Sequence, residues 1–219
     1  MTAGVCAVVG MGPGIGLAVA KRFGREGFRV AALARSSANL EGCRKELAAQ
    51  GMETHAFVTD AGDPASLAAT FAEVRAALGD PSVLVYNAAV LHMATASALD
   101  PAQLANDFQV NVTGALASAQ QVLPAMRAAQ RGTLLFTGGG LALDPFPQFA
   151  SLAIGKAGIR SLAFSLAKEL EADGIHAATV TVCGMVKPGT RYDPDLIAEE
   201  YWKLHTQPAG SWEREMVFR

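Results

Sequence analysis

The 219-residue sequence has little of what marks several other classes of protein. Only 17% of its residues are charged, and a net charge of −2 leaves no basic excess for binding nucleic acid or an anionic membrane surface. No apolar run is long enough to span a bilayer, and the N-terminus lacks the basic leading segment of a secretory signal. We therefore expect a cytoplasmic protein with no nucleic-acid partner and no membrane partner.

Cysteines and aromatic residues are also scarce. The three cysteines, Cys6, Cys43 and Cys183, have neither the spacing of a metal site nor that of a redox pair, and we predict no metal. Aromatic residues make up 7% of the chain, whereas hydrophobic residues make up 51%. A core rich in small and aliphatic side chains suits helices packed closely against a sheet, and this length fits one such domain.

Strand-like and helix-like segments alternate from end to end. The predicted strands are Val5–Val9, Arg29–Ala34, Thr54–Val58, Val83–Tyr86, Gly132–Thr137, Ala177–Cys183 and Met216–Phe218. Their nearly continuous valine, alanine and leucine content indicates burial on both faces, as in a parallel sheet covered by helices. Asp-Pro pairs at 63–64, 100–101 and 193–194 predict helix starts, because aspartate caps a helix and proline fits its first position.

This pattern predicts an α/β fold, a doubly wound parallel sheet of the Rossmann type in three α/β/α layers. We expect one domain over residues 1–219, ending in a short C-terminal region at about 185–219 that carries the substrate loop and the helix 194–205. A sheet of this kind binds its ligand beyond the carboxyl ends of its strands. Residues that follow the strands are therefore the candidates for a functional site.

A glycine-rich segment follows the first predicted strand and precedes a helical pattern. It contains Gly10, Gly12, Gly14, Ile15 and Gly16. Glycines allow the main chain to turn tightly and approach a pyrophosphate, and the helix start supplies free N–H groups and a positive dipole. The segment predicts a dinucleotide phosphate site, with a tight turn that binds no ligand as the alternative.

Residues after the next strands extend this site. Arg35 follows the second strand, where an arginine favours a 2′-phosphate, so the sequence predicts NADP(H) over NAD(H); a solvated residue at a helix start is the alternative. Asp60 and Ala61 follow the third strand and are expected to receive the adenine amino group. Small residues follow the fourth strand, where the main chain must pass close to a cofactor, namely Asn87, Ala88 and Ala89.

Taken together, these segments resemble the classical short-chain dehydrogenase/reductase family over nearly the whole chain. Asn111, within Val-Asn-Val-x-Gly, matches the family's catalytic asparagine, and Lys156 matches its active-site lysine. Gly184 and Val186 lie where the family has Pro-Gly-x-Val, with Cys183 in place of the proline. The resemblance implies an oxidoreductase acting on a small carbonyl or alcohol, with Lys156 and Asn111 catalytic and Lys156, Gly184 and Val186 also binding cofactor. It further implies a homodimer or homotetramer.

The chain departs from the family at two reactive positions. Leu152 stands four residues before Lys156, where the family has its tyrosine, and Gly139 stands where it has its serine. Leucine cannot exchange a proton with a substrate oxygen. The missing groups leave three hypotheses open: an oxidoreductase with another proton donor, a non-catalytic nucleotide sensor, and a subunit whose partner supplies the activity.

Several residues are candidates for the missing donor or for the contact between subunits. A desolvated Lys156 could act as an acid, although binding the ribose hydroxyls is its expected role; His92 and Tyr192 are weaker candidates. Thr137 is expected to end the fifth strand, and Cys183 to be a buried structural cysteine. The small residues at 115–119 are expected to form a surface for close helix contact between subunits.

Overall fold

A computed structural model describes residues 4–219, so positions 1–3 of the predicted domain lie outside the described residues. The strands are β1 Val5–Val9, β2 Arg29–Ala34, β3 Thr54–Val58, β4 Val83–Tyr86, β5 Gly132–Gly139, β6 Ile175–Val182 and β7 Glu215–Phe218. The α-helices are α1 Ile15–Arg25, α2 Ser37–Ala48, α3 Pro64–Leu78, α4 Pro101–Phe108, α5 Gly114–Ala129, α6 Ala150–Leu170 and α7 Pro194–His205. Short 3₁₀ turns cover Gly140–Ala142 and Glu171–Asp173.

All seven strands form one parallel sheet in the order β3-β2-β1-β4-β5-β6-β7. The chain winds outward from β1 in both directions, which confirms the predicted doubly wound fold. The strand order reverses between β1 and β4. In such sheets a ligand binds in the crevice beyond the carboxyl ends of the strands at this reversal.

Two apolar cores cover the two faces of the sheet, giving the predicted three layers. One core contains α3, α5 and α6, and the other contains α1, α2 and α7. Successive residues of β1 alternate between them: Val5, Ala7 and Val9 face the first, and Cys6 and Val8 the second. Burial on both faces explains why the central strands β1 and β4 are continuously apolar.

The predicted bounds of β1–β4 and α7 are confirmed, whereas those of the last three strands need correction. β5 continues past Thr137 to Gly139, because Gly138 and Gly139 pair with Thr181 and Val182 of β6. β6 begins at Ile175 and ends at Val182 rather than running over 177–183, and β7 begins one residue earlier, at Glu215. Glycines have low strand propensity, so pairing with a neighbour, not local preference, extends β5.

The three predicted aspartate caps are confirmed. The carboxylates of Asp63, Asp100 and Asp193 accept hydrogen bonds from main-chain N–H groups two residues on, with proline at the first helical position each time. Between α4 and α5 the chain forms a π-helical turn, Gln109–Thr113. Such turns are rare and frequently occur at functional sites.

Candidate cofactor-binding and active site

Three main-chain segments approach one another closely at the glycine loop after β1. Gly10 has φ +90°, a conformation that favours glycine, and a Cβ there would overlap the main-chain nitrogen of Ala88. A Cβ on Gly16 would lie 2.7 Å from the carbonyl oxygen of Gly10. Gly14 caps α1 without a side-chain acceptor, whereas a Cβ on Gly12 or Gly14 would meet no atom within 4 Å. The start of α1 thus faces open space, as a phosphate site requires.

A cavity of about 360 Å³ lies at the carboxyl ends of β1, β2 and β4. Of the predicted cofactor residues it is lined by Gly10, Arg35, Ala61, Asn87, Ala88 and Ala89. It is also lined by residues that were not predicted to bind the cofactor, which are Val9, Met11, Leu33, Ala34, Ser36, Asn39, Thr59 and Val110. The remaining predicted cofactor residues, among them Gly12, Gly14, Ile15 and Gly16, are not in its lining.

The β2 end of this cavity offers polar groups to an anion. Ser36 caps α2, its Oγ accepting a hydrogen bond from the main-chain nitrogen of Asn39 at 3.2 Å. Arg35, Ser36 and Asn39 thus line the cavity beside the positive end of the α2 dipole. Asp60 is exposed and lies outside the cavity lining, its Oδ1 accepting from Gly62 N at 2.9 Å, so its contact with adenine stays a prediction.

A chain of hydrogen bonds crosses the sheet ends beneath the cavity. The phenol of Tyr201, on α7, lies 2.6 Å from Oγ1 of Thr137, and Thr137 donates to Oδ1 of Asn87 at 2.9 Å. Asn87 in turn donates from Nδ2 to the carbonyl oxygen of Gly10, also at 2.9 Å. Thr137 does not end β5 as expected; it joins the loop after β4 to helix α7. The sequence separation between Thr137 and Tyr201 left no local signal for this contact.

Lys156 points at the carboxyl half of β5. Its Nζ donates to the carbonyl oxygen of Thr137 at 2.7 Å, and burial of the ammonium group lowers the pKa of Lys156 to about 8. The lysine stem crosses Gly139, since a Cβ on that glycine would lie 3.3 Å from Cγ of Lys156. An amine with this pKa exchanges protons near neutral pH, which suits general acid chemistry.

Leu152 is buried, with 8% of its surface exposed, one helical turn before Lys156. Gly139 ends β5 beside the lysine stem. Neither residue carries a hydroxyl group. Of positions 139, 152 and 156, only position 156 therefore has a polar side chain at this end of β5.

Asn111 fastens the π-helical turn to the loop after β4. Its Oδ1 accepts from the main-chain nitrogen of Val90 at 2.8 Å, and its Nδ2 donates to the carbonyl oxygen of the same residue at 3.3 Å. α6 passes close by, since a Cβ on Gly155 would lie 2.7 Å from Cβ of Asn111. Asn111 is thus buried between α6 and the loop that begins at Asn87, where it orients both.

The segment after β6 is tightly folded on itself. Tyr192 packs its ring against Gly184, where a Cβ would overlap the ring, and its hydroxyl donates to the carbonyl oxygen of Cys183 at 3.0 Å. Cys183 is half-buried rather than buried as expected, with its Sγ beside Gly140. Val186 packs onto the α1/α7 core. These contacts make Tyr192 a packing residue, and His92 is exposed on the loop after β4.

Exposed apolar side chains gather on the loops that follow β4, β5 and β6. They are Leu91, Met93, Leu143, Phe146 and Met185, the last with 85% of its surface exposed. The first two loops are joined, because Ala94 donates to the carbonyl oxygen of Gln148 at 3.0 Å and accepts from Ala150 N at 3.3 Å. We call these five side chains the apolar rim. Single exposed apolar residues are ordinary, whereas several of them on loops at the same edge of the sheet make a candidate contact surface.

Most of the small residues at 115–119, which are expected to contact another subunit, are not exposed on the surface of the chain. Ala115, Ala117, Ser118 and Ala119 are buried within the chain, and Leu116 alone is exposed. They face the sheet because α5 covers it closely. Within residues 4–219, no helix is both long and apolar enough to cross a membrane. Over the same residues, no three side chains of the metal-binding types are grouped as a metal site would require.

Comparisons with known proteins agree with this geometry. Residues 4–197 match the family model described as short chain dehydrogenase. The chain is 28% identical over 213 residues to 2-(S)-hydroxypropyl-CoM dehydrogenase 3 of Xanthobacter autotrophicus, covering 94% of this chain and 82% of that protein. It is 30% identical over 175 residues to Short-chain dehydrogenase/reductase 3 of Homo sapiens, covering 79% of this chain and 58% of that longer protein.

Solved structures match the whole fold. A metagenomic short-chain oxidoreductase, crystallised in complex with NADP, is 30% identical, with a TM-score of 0.90 and coverage of 100% of this chain and 97% of that one. A short-chain dehydrogenase from Rhodopseudomonas palustris is 28% identical, with a TM-score of 0.89 and coverage of 99% and 98%. The similarity therefore extends over the C-terminal helix and the last strand.

Proposed function

Because the chain belongs to the short-chain dehydrogenase family, whose relatives are oxidoreductases, we propose that it is an NADP(H)-dependent reductase of an apolar aldehyde or ketone, or, in the reverse direction, a dehydrogenase of the matching alcohol. The observation that carries this proposal is the cavity at the β1/β4 strand reversal, which extends from Gly10 to Arg35. The cofactor bound there would supply the hydride. The chain's own residues would bind it, orient the substrate and move the proton.

The fit of the nicotinamide cofactor is supported by the main chain around the cavity. Gly10 and Gly16 let the glycine loop pack closely against the protein's own main chain, and the start of α1 is open toward Gly12 and Gly14, as a pyrophosphate requires. Arg35, Ser36 and Asn39 would bind the 2′-phosphate, because a guanidinium and a helix N-terminus both favour an anion. This set supports NADP(H) over NAD(H).

Lys156 would be the proton donor in place of the family's tyrosine. In its protonated form, Nζ can donate to the carbonyl oxygen of a substrate and transfer a proton as that oxygen becomes an alkoxide. The pKa of about 8 makes the transfer possible near neutral pH, and solvent then reprotonates the amine. Leu152 and Gly139 would make the surroundings of the substrate oxygen apolar, which strengthens its contact with the ammonium group.

The apolar rim supports an apolar substrate. Its side chains come from three loops at the end of the sheet where Lys156 lies, and two of these loops are joined through Ala94. A lipophilic aldehyde or ketone would bury this surface, whereas a carboxylate-bearing carbonyl would lose hydration there without gaining a cationic partner from the rim.

The experiment that tests the proposed function is calorimetric titration of the purified protein with NADPH and NADH, followed by a panel of carbonyl compounds on the same sample. We expect NADPH to bind more tightly than NADH, and medium-chain aldehydes and aryl ketones to be reduced faster than charged carbonyls of equal size. Failure of both nucleotides to bind would overturn the proposal.

The second candidate function is a nucleotide sensor or a partner subunit without turnover. It is favoured by Leu152 and Gly139, which remove both hydroxyl groups that the resemblance implies for catalysis. Tight NADPH binding with no reduction of any carbonyl in the panel would support it. The lowered pKa of Lys156 favours the enzyme, because groups with shifted pKa values are concentrated at catalytic sites.

We also propose that the protein forms a homodimer or homotetramer in the cytoplasm. Phe108, Leu116 and Ile154 are exposed on α4, α5 and α6, and self-association would remove them from water. Light scattering coupled to size-exclusion chromatography measures the mass directly. A mass of 22.7 kDa at micromolar concentration would contradict the oligomer.

A further inference from the structure

A fully buried tyrosine on the C-terminal helix is connected to the glycine loop by consecutive hydrogen bonds. The chain runs from Tyr201 through Thr137 and Asn87 to the carbonyl oxygen of Gly10, with donor–acceptor distances of 2.6, 2.9 and 2.9 Å. Tyr201 is 0% exposed and Thr137 is 7% exposed. Water therefore has little access to the bond between Tyr201 and Thr137.

The direction of each bond is set by the chemistry of the groups. Asn87 presents Oδ1, which can only accept, so the single hydroxyl hydrogen of Thr137 is directed at it. The phenol of Tyr201 must then be the donor in its contact with Thr137. With Oδ1 engaged, Nδ2 of Asn87 is turned toward Gly10. Four residues from four different elements thus have one consistent arrangement, and such chains strengthen cooperatively.

The chain ends on two walls of the candidate cofactor cavity. Gly10 and Asn87 both line that cavity, and the bond between them joins the loop after β1 to the loop after β4. Thr137 has a second contact on the opposite side of β5, where its carbonyl oxygen accepts from Nζ of Lys156. One residue of β5 therefore contacts both Asn87, on the loop after β4, and Lys156.

We infer that Thr137 and Tyr201 are positioning residues of the cofactor site, which preorganise the glycine loop through the side-chain amide of Asn87. The expected effect on NADPH binding rests on the proposed function. The expected effect on the glycine loop does not, because it can be measured in the ligand-free protein. Removal of the Thr137 hydroxyl would leave Oδ1 of Asn87 facing a methyl group. The amide would then rotate away and release the carbonyl oxygen of Gly10.

The test compares Thr137→Val with a matched control, Thr179→Val. Thr179 is likewise buried, at 0% exposed against 7% for Thr137, and it too donates one hydrogen bond, to the carbonyl oxygen of Phe136, but it has no hydrogen bond to Asn87 or Gly10. We expect Thr137→Val to raise the Kd for NADPH about fivefold, corresponding to one lost hydrogen bond. Thr179→Val should cost similar stability with a change in Kd of less than about twofold, because its hydrogen bond lies outside the cavity.

Two further variants separate positioning from general destabilisation. Thr137→Ser retains the hydroxyl and should restore most of the affinity lost in Thr137→Val. Tyr201→Phe should weaken binding less than Thr137→Val does, because Thr137 can still donate to Asn87. The double variant should bind no more weakly than Thr137→Val alone, since both substitutions interrupt one chain.

Hydrogen exchange of the ligand-free protein, measured by mass spectrometry, decides the inference independently of cofactor binding. We expect faster exchange over residues 10–16 and 87–90 in Thr137→Val than in Thr179→Val. Equal exchange in the two variants, or an equal loss of NADPH affinity, would overturn the inference. If the unaltered protein binds no NADPH, the proposed function fails, and the exchange comparison still supports or overturns the positioning role.

Discussion

The stem of Lys156 passes across Gly139 so closely that a Cβ on the glycine would lie 3.3 Å from Cγ and 3.4 Å from Cδ of the lysine. The missing serine hydroxyl and the retained lysine are therefore linked in space. A serine at position 139 fits if the flexible stem moves by a few tenths of an ångström. A hydroxyl-bearing side chain at position 152 would lie on the same helical face as Lys156, because Leu152 is one turn away from it on the same helix.

We predict that Leu152→Tyr combined with Gly139→Ser increases carbonyl reduction at least tenfold. A positioned proton donor typically contributes about 10²–10⁴-fold, and part of that gain is already supplied by Lys156. The measurement is kcat/KM for NADPH-dependent reduction of an aryl ketone. Leu152→Phe with Gly139→Ala is the matched control, because it adds similar bulk without hydroxyl groups. A control that gains as much as the double variant would contradict a role for the hydroxyls.

The pH profile of the unaltered protein provides a separate prediction about Lys156. Since its pKa is lowered to about 8, the ammonium form that donates a proton predominates below pH 8 and declines above it. Reduction should therefore be independent of pH on the acid side and fall about tenfold per pH unit well above pH 8. Lys156→Met should lose the inflection along with about 10²-fold or more in rate. A rate that rises through pH 8 would contradict the assignment of Lys156 as the acid.

The same lowered pKa has a consequence for folding stability, with a defined sign. In the unfolded chain the lysine titrates near its ordinary value of 10.5, so between pH 8 and 10.5 the unfolded chain binds more protons than the folded one. Burial of the charged Lys156 therefore lowers the free energy of unfolding. This penalty is absent above pH 10.5, grows as pH falls, and is complete below pH 8. The difference of 2.5 pKa units (10.5 minus 8) sets an upper bound of about 3 kcal/mol.

We accordingly predict that Lys156→Met raises the free energy of unfolding at pH 7, by up to that bound, and that the gain shrinks as pH approaches 10.5. Urea denaturation at pH 7, 8.5 and 10 measures it. Lys168→Met, on the same helix but exposed, is the control and should show no such pH-dependent gain. An equal gain at all three pH values would contradict a buried, titrating Lys156.

The sequence was sufficient for most of the fold because its central strands are buried. β1, β2 and β4 have the predicted bounds, since their apolar runs end where polar or glycine residues begin, and the more exposed edge strand β3 has its predicted bounds as well. The glycine loop was recognisable for a related reason: a close approach such as that of Gly10 to Ala88 admits no side chain. In both cases the requirement is local, so the sequence displays it locally.

Features that depend on distant partners could not be predicted in this way. β5 continues through Gly138 and Gly139 only because β6 pairs with them. The π-helical turn depends on bonds from Asn111 to Val90, twenty-one residues away along the chain. The contact between Thr137 and Tyr201 spans sixty-four residues, and neither residue belongs to a recognisable motif.

The hydrogen bonds of Asn111 to Val90, on the loop after β4, can be tested without any substrate. We expect Asn111→Asp to lower the free energy of unfolding by about 1–3 kcal/mol, because the carboxylate still accepts from Val90 N but cannot donate to Val90 O. The melting temperature should fall by about 2–4 °C for each kcal/mol. Asn87–Val90 should also exchange hydrogen faster. An unchanged melting temperature would contradict this role of Asn111.

Arg35 is the residue that we expect to favour NADP(H) over NAD(H). It lines the cavity beside Ser36 and Asn39, where a 2′-phosphate would meet the N-terminus of α2. Removing a charge-assisted hydrogen bond costs about 1.5–3 kcal/mol, so Arg35→Ala should weaken NADPH binding about 10–100-fold. NADH binding should change by less than about threefold, because NADH lacks the phosphate that the guanidinium contacts.

Arg25→Ala, which removes an exposed arginine outside the cavity, is the control for the general loss of positive charge. Calorimetric titrations of both variants with both nucleotides give four ratios of variant Kd to unaltered Kd. A 2′-phosphate site requires that only the ratio for Arg35→Ala with NADPH is raised. Equal weakening of NADPH and NADH would instead mean that Arg35 supports the shape of the adenosine pocket, and the preference for NADP(H) would have to come from another residue.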